Sequence, residues 1–298
     1  MLYDAHNHLQ DERLKPQLAA VMAAVQAEPI AKMVVNGSSE DDWPEVLALA
    51  QKLPQVVPSF GCHPWYVKNR TPLWQSNLSW HLDQVPSAIG EIGLDRWIKD
   101  RDDAEQEEAF IWQLRLAAER NLPVSIHCLQ AWGRMLEILQ AGPRPTVGFL
   151  LHSFGGSVEM VPALAKLGAY FSLPGYFAHE RKVRQRETFK KIPIDRLLIE
   201  TDAPDQRLPD ERNHHPLQDA EGKPINHPAN LRGVYEFASE LLSIPLEELS
   251  GQVEENFQRL FGQLESRATP TPGRPRRRTI ARWLTRLGRP LNYWGELV

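Results

Sequence analysis

The sequence predicts an α/β fold, a (β/α)8 TIM barrel, carrying a short basic tail at its C-terminal end. Three observations lead there. First, eight short apolar runs recur along residues 1–265: Leu2–Ala5, Lys32–Asn36, Val56–Phe60, Ala88–Glu91, Val124–His127, Val147–Leu151, Tyr170–Leu173 and Leu197–Glu200. Several are apolar throughout rather than alternating, as strands covered on both faces are. Second, helical stretches separate them, and eight β-then-α units in about 250 residues match the count and size of such a barrel. Third, the first run ends in His6-Asn7-His8. A doubly wound open sheet would carry a glycine-rich phosphate turn there.

Taken in order, Leu14–Ala27 holds an apolar stripe through Leu14, Leu18, Val21, Met22 and Val25, the spacing of one helix face. Trp43–Lys52 follows, with Asp41 or Asp42 placed to cap it. Asp102–Arg120 is the clearest helix, with Phe110, Leu114 and Ala117 at helical spacing. Ala131–Gln140, Ser157–Leu167 and His179–Lys191 come next. Pro228–Leu242, Pro245–Gly251 and Val253–Phe261 are expected after the eighth strand.

Composition narrows the class. The chain has 298 residues, 42% hydrophobic and 24% charged, which is ordinary globular usage. No apolar stretch reaches the roughly 18 residues that a membrane span needs. The N-terminal residues lack a basic stretch followed by an apolar run, so a cytoplasmic location is expected. Two cysteines, Cys62 and Cys128, are too few for a disulfide framework. Residues 266–298 hold eight Arg against Glu296 alone, so the net charge of −4 leaves the barrel at −11. An acidic body does not grip nucleic acid by bulk charge.

The candidate chemistry sits at strand ends. His6 and His8 are two apart, so on an extended strand they point the same way and can chelate one cation. Glu91, His127, His152 and Asp202 each close a later apolar run or fall within about two residues of its end. In a barrel all such ends open on one face, so the six residues converge there, and four imidazoles with two carboxylates suit one or two divalent ions.

These stretches resemble the TatD family of metal-dependent deoxyribonucleases, within the amidohydrolase-like barrels. The resemblance rests on Asp4-Ala5-His6-Asn7-His8-Leu9, Gly61-Cys62-His63-Pro64, Gly90-Glu91-Ile92-Gly93-Leu94-Asp95, Pro123-Val124-Ser125-Ile126-His127, His152-Ser153-Phe154-Gly155-Gly156 and Ile199-Glu200-Thr201-Asp202-Ala203-Pro204. It covers residues 1 to about 263. It implies a two-metal site, with His6, His8 and Asp202 on one ion, His127 and His152 on the other, and Glu91 bridging. It also implies hydrolysis of DNA phosphodiesters from single-stranded ends, of 3'-5' exonuclease type, with Asp202 taking the proton of the attacking water. Magnesium, manganese and zinc all suit the ligands. His63 is either a phosphate contact or a helix-start residue before Pro64.

The sequence departs from the family around the rim. His127 is followed by Cys128-Leu129-Gln130 where the family often has Arg, and Asn226-His227-Pro228 stands where it often has Asn-Glu-Pro. Arg96 and Arg207 are candidates to supply positive charge to substrate. A small amide, lactone or phosphoester is the alternative substrate class. A basic rim favours DNA, and a closed neutral pocket favours a small substrate.

The tail is expected to form an extended Thr269–Pro275 linker and a short basic amphipathic helix. Its Ile280, Trp283, Leu284 and Leu287 oppose Arg278, Arg282 and Arg286. Such a helix suits docking to the barrel or to a protein partner, so a third reading is a subunit held in a complex through residues 266–298.

Overall fold

The computed structural model describes residues 1–264. The tail expected over residues 266–298 lies outside the described residues.

Eight parallel strands run in the order of the chain: β1 (Leu2–Asn7), β2 (Ile30–Asn36), β3 (Val56–Phe60), β4 (Ala88–Asp95), β5 (Val124–Leu129), β6 (Phe149–Leu151), β7 (Ala169–Pro174) and β8 (Leu197–Glu200). Every residue of β1, β3, β4, β6, β7 and β8 is buried, as continuous apolar runs require. Between and after them stand α1 (Leu18–Ala27), α2 (Trp43–Lys52), α3 (Trp74–Gln84), α4 (Asp103–Arg120), α5 (Trp132–Ala141), α6 (Val161–Lys166), α7 (Val183–Phe189), α8 (Leu231–Leu242) and α9 (Leu246–Phe261). The result is a nearly closed (β/α)8 barrel. Two further short strands, β9 (Leu217–Gln218) and β10 (Pro224–Ile225), pair antiparallel in the excursion after β8. None of the described helices is long and apolar enough to cross a membrane.

Several helices differ from expectation for local reasons. Asp102 caps α4 by accepting the Glu105 amide at 3.0 Å, which trims one residue from the expected start. The stretch His179–Lys191 is broken into a 3-10 turn, Glu180–Lys182, and the short α7. The two helices expected on either side of Gln252 are one helix, α9. Gly251 faces open space, and the stripe Leu249, Val253, Phe257, Leu260 passes it unbroken. A glycine inside a helix costs only about 1 kcal/mol. Helix α3 has no counterpart among the expected helices. Its buried face is Trp74, Leu78, His81 and Leu82, and the polar His81 interrupts the apolar signal.

The barrel closes between β1 and β8 through a few specific bonds. The Asp202 amide donates to the His6 carbonyl at 2.9 Å, and the His8 amide donates to the Ala203 carbonyl at 2.8 Å. Below them, the Tyr235 hydroxyl from α8 accepts from the Tyr3 amide at 3.0 Å and donates to the Tyr3 carbonyl at 3.1 Å. Asn256 from α9 donates to the carbonyls of Ile194 and Leu197, each at 2.8 Å. The post-barrel helices thus supply hydrogen bonds to β1 and to the start of β8. Tyr235→Phe removes two buried hydrogen bonds while keeping the ring. It is expected to cost about 1–3 kcal/mol in denaturant unfolding without changing the fold. An unchanged midpoint would show that this hydroxyl does not seal the seam.

Candidate metal centre

The C-terminal ends of the strands deliver the candidate ligands to one face. His6 lies on β1 with His8 just beyond it, Glu91 lies within β4, and His127 lies on β5. His152 directly follows β6, and Asp202 comes two residues after β8. All six meet around the carboxylate of Glu91. Its Oε2 stands 3.4 Å from His6 Nε2 and 3.2 Å from His8 Nε2. Its Oε1 stands 3.0 Å from His127 Nδ1 and 2.9 Å from His152 Nε2. Asp202 Oδ1 lies 3.6 Å from both His6 and His8. Asp202 holds a left-handed backbone, φ 51°, a conformation that Asp tolerates better than most residues. Gly93 is required for a different reason: with φ +148°, a Cβ there would sit 1.9 Å from the His127 carbonyl. Only glycine lets β4 approach β5 closely enough to set His127 beside Glu91.

The outer nitrogen of each imidazole decides what its inner nitrogen can do. His8 Nδ1 meets the Asn36 carbonyl at 2.8 Å. A carbonyl only accepts, so His8 Nδ1 carries a proton, and once the ring gives up its second proton Nε2 turns a lone pair inward. His127 Nε2 meets Asp95 Oδ2 at 3.0 Å, so His127 Nδ1 turns its lone pair inward as well. His6 Nδ1 bonds Ser125 Oγ at 2.8 Å, and His152 Nδ1 faces the buried Glu200 at 3.8 Å. In their neutral forms His8 and His127 therefore turn lone pairs toward the Glu91 oxygens, while the Ser125 hydroxyl can donate to or accept from His6 and His152 Nδ1 makes no hydrogen bond. Acceptors facing acceptors repel unless cations lie between them, and this donor set fits divalent ions. Groups of His6, His8 and Glu91 and of His6, His152 and Asp202 are each close enough to share one ion.

His63, just after β3, is different. Its Nδ1 accepts the Trp65 amide at 3.2 Å, so its Nε2 carries the proton of the neutral ring and donates toward Glu91 Oε1 at 3.3 Å. Burial pushes His63 down to about 4, which keeps the ring neutral. Its distance alone would admit it to a cluster with Glu91 and His127, but its tautomer makes it a hydrogen-bond donor.

Charge follows the same pattern. Burial opposes the charge on Glu91, but the surrounding imidazoles outweigh it and hold the carboxyl well below its usual range. Burial opposes the charge on His8 too, and Glu91 and Asp202 outweigh it, pushing His8 up to about 9. Burial pushes Asp202 up to about 8. Beneath the site, burial pushes the Asp4 carboxyl up to about 7. It accepts from the Thr201 amide at 2.9 Å and hydroxyl at 2.6 Å, tying β1 to the end of β8.

The site opens into a cavity of about 690 Å³. Its mouth is acidic: among the described residues Asp11, Glu12, Asp41, Asp42, Glu45 and Asp205 line it, against Arg13 and Lys15. Arg13 is held by Asp11 at 2.8 Å and Asp205 at 2.7 Å, and Lys15 pairs with Glu12 at 3.4 Å. Arg96 and Arg207, expected to contact substrate, do not line this cavity. Arg96 lies near Asp103 and Glu107 at 3.7 and 3.5 Å, and Arg207 pairs with Asp210 at 2.8 Å. Sequence alone gives Asp95, Trp65 and Tyr66 no role. Asp95 Oδ2 accepts from both His127 and, at 2.7 Å, the Trp65 indole. Its place in the Gly90–Asp95 stretch is the one signal that marks it.

His8 and Asp202 both hold protons near neutrality, so a divalent ion must displace them to bind. Affinity is therefore expected to rise between about pH 6 and 9, with up to two protons released. Calorimetric titration in two buffers of different ionisation enthalpy measures the release. Identical heats in both would contradict this protonation scheme.

A family model described as TatD related DNase matches residues 3–262. The chain is 34% identical over 265 residues to an uncharacterized metal-dependent hydrolase, YabD, of Bacillus subtilis, covering 88% of this chain and 99% of the relative. It is 32% identical over 254 residues to a protein of Enterobacter lignolyticus named 3'-5' ssDNA/RNA exonuclease TatD, covering 83% and 95%. The solved structure of YjjV, a TatD homolog from Escherichia coli K12, superposes with a TM-score of 0.79 at 25% identity, covering 88% and 98%. Matched across the whole barrel by the family model and by relatives above 30% identity, this chain belongs to the TatD family of metal-dependent hydrolases.

Proposed function

We propose that this protein hydrolyses phosphodiester bonds at single-stranded DNA ends, as a 3'-5' exonuclease using two divalent ions. His6, His8 and Asp202 hold one ion, His127 and His152 hold the other, and Glu91 bridges. The observation that supports this is Glu91 itself, whose two oxygens face two separate pairs of imidazoles at 2.9–3.4 Å. The name of the Enterobacter relative supports the substrate.

Such an ion pair, when bound, polarises the phosphoryl oxygen and acidifies a water. The side chains do the rest. His63 Nε2–H donates to a non-bridging phosphoryl oxygen. Asp202 takes the proton of the attacking water. The water oxygen joins phosphorus, the bond from phosphorus to the 3' oxygen breaks, and the proton passes to the leaving oxygen. The products are a nucleoside 5'-monophosphate and a strand one unit shorter.

A second reading, hydrolysis of a small phosphoester, amide or lactone, is favoured by the acidic mouth, which offers a polyanion no unpaired cation among the described lining residues. End-labelled single-stranded DNA with magnesium or manganese separates the two. The wild type is expected to shorten the strand. Asp202→Asn should lose about 100-fold or more in kcat, and a chelator should abolish activity. Intact DNA beside hydrolysis of a small phosphodiester would replace the first reading with the second.

A further inference from the structure

We propose that the cavity mouth selects short chains. One terminal nucleotide enters with its base against the face of Trp65, and the acidic rim turns longer backbones away. This rests on the phosphodiesterase reading and adds to it a substrate length and a recognition residue.

Two independent features carry it. The first is a fixed aromatic face. Trp65 is 49% exposed at the cavity wall. Its indole is held by the 2.7 Å bond to Asp95. It meets the His63 ring edge-on, with centroids 5.0 Å apart and planes at 85°, and His127 at 6.3 Å and 69°. A flat ring entering this cavity would find the surface already in place, and base stacking on such a platform is indifferent to base identity. Tyr66, 37% exposed beside it, lines the same cavity.

The second feature is the sign of the field. Ordinary nucleic-acid enzymes meet successive phosphates with Lys and Arg, and so bind less tightly as salt rises. Here the only described cations at the mouth are already paired with carboxylates. Glu12 and Asp41 are exposed around them. The next one or two phosphates of a longer strand approach this rim within about one Debye length. Repulsion therefore penalises a strand longer than a dinucleotide, and added salt relieves it.

The test compares kcat/KM for a thymidine dinucleotide, an oligothymidylate of about 20 nucleotides and bis(p-nitrophenyl) phosphate, at fixed free magnesium, between about 50 and 200 mM salt. The dinucleotide is expected to be the better nucleotide substrate by about ten-fold, and the rate on the long strand should rise with salt. Glu12→Gln with Asp41→Asn should raise the ratio of long-strand to dinucleotide rate by about three-fold. Trp65→Leu should raise KM for the dinucleotide by about ten-fold, and Trp65→Phe, which keeps a ring but loses the bond to Asp95, should recover most of it. Binding of thymidine monophosphate, followed by calorimetry, should weaken in parallel. A long strand cut faster than the dinucleotide, with rates falling as salt rises, would overturn the length selection. An unchanged KM in Trp65→Leu would overturn the stacking face. Hydrolysis of bis(p-nitrophenyl) phosphate alone would instead remove the nuclease reading beneath both.

Discussion

One buried carboxylate has two oxygens, and the site is arranged around that fact. Glu91 is 3% exposed, so its charge survives burial only if cations or protons answer it. Strands β1, β5 and β6 each deliver imidazoles to it, in two sets on two sides. The layer behind is equally committed. Asn36, Ser125 and Asp95 bond the outer nitrogens of His8, His6 and His127, and Glu200 stands behind His152. The partners of His8 and His127 fix those two tautomers, which turn lone pairs inward when the rings are neutral. The same logic sets His63 apart, because its outer nitrogen accepts rather than donates.

Much of this is legible in the sequence. Short apolar runs mark all eight strands, and several are continuous, as strands covered on both faces are. Ligands at strand ends then fall on one face by topology alone, so His6, His8, Glu91, His127, His152 and Asp202 group together from their positions in the chain. What escapes depends on geometry that only the fold sets. The tautomer of His63 is set by the Trp65 amide, the role of Asp95 by His127 and Trp65 together, and the pairing of Arg96 by α4. Arg96 is engaged by Asp103 and Glu107 of α4, and Arg207 by Asp210 three residues on. Helix α3 escapes because a polar His81 occupies its buried face.

The charge of the mouth is also a product of assembly. Asp11 and Glu12 follow β1, Asp41 and Asp42 follow β2, and Asp205 follows β8. Only the barrel brings them together, with Arg13 bridging Asp11 and Asp205. The donor set of the centre thus suits divalent cations while the rim is acidic. In the proposed reading, recognition of a substrate comes from the centre and from uncharged surfaces such as Trp65.

The proposed bridging of two ions by Glu91 is tested most directly by crystals grown with manganese. Anomalous difference maps should show two peaks about 3.5–4 Å apart, one beside each oxygen of Glu91. The first should lie among His6, His8 and Asp202, and the second between His127 and His152. A single peak, or a second ion that does not touch Glu91, would contradict it.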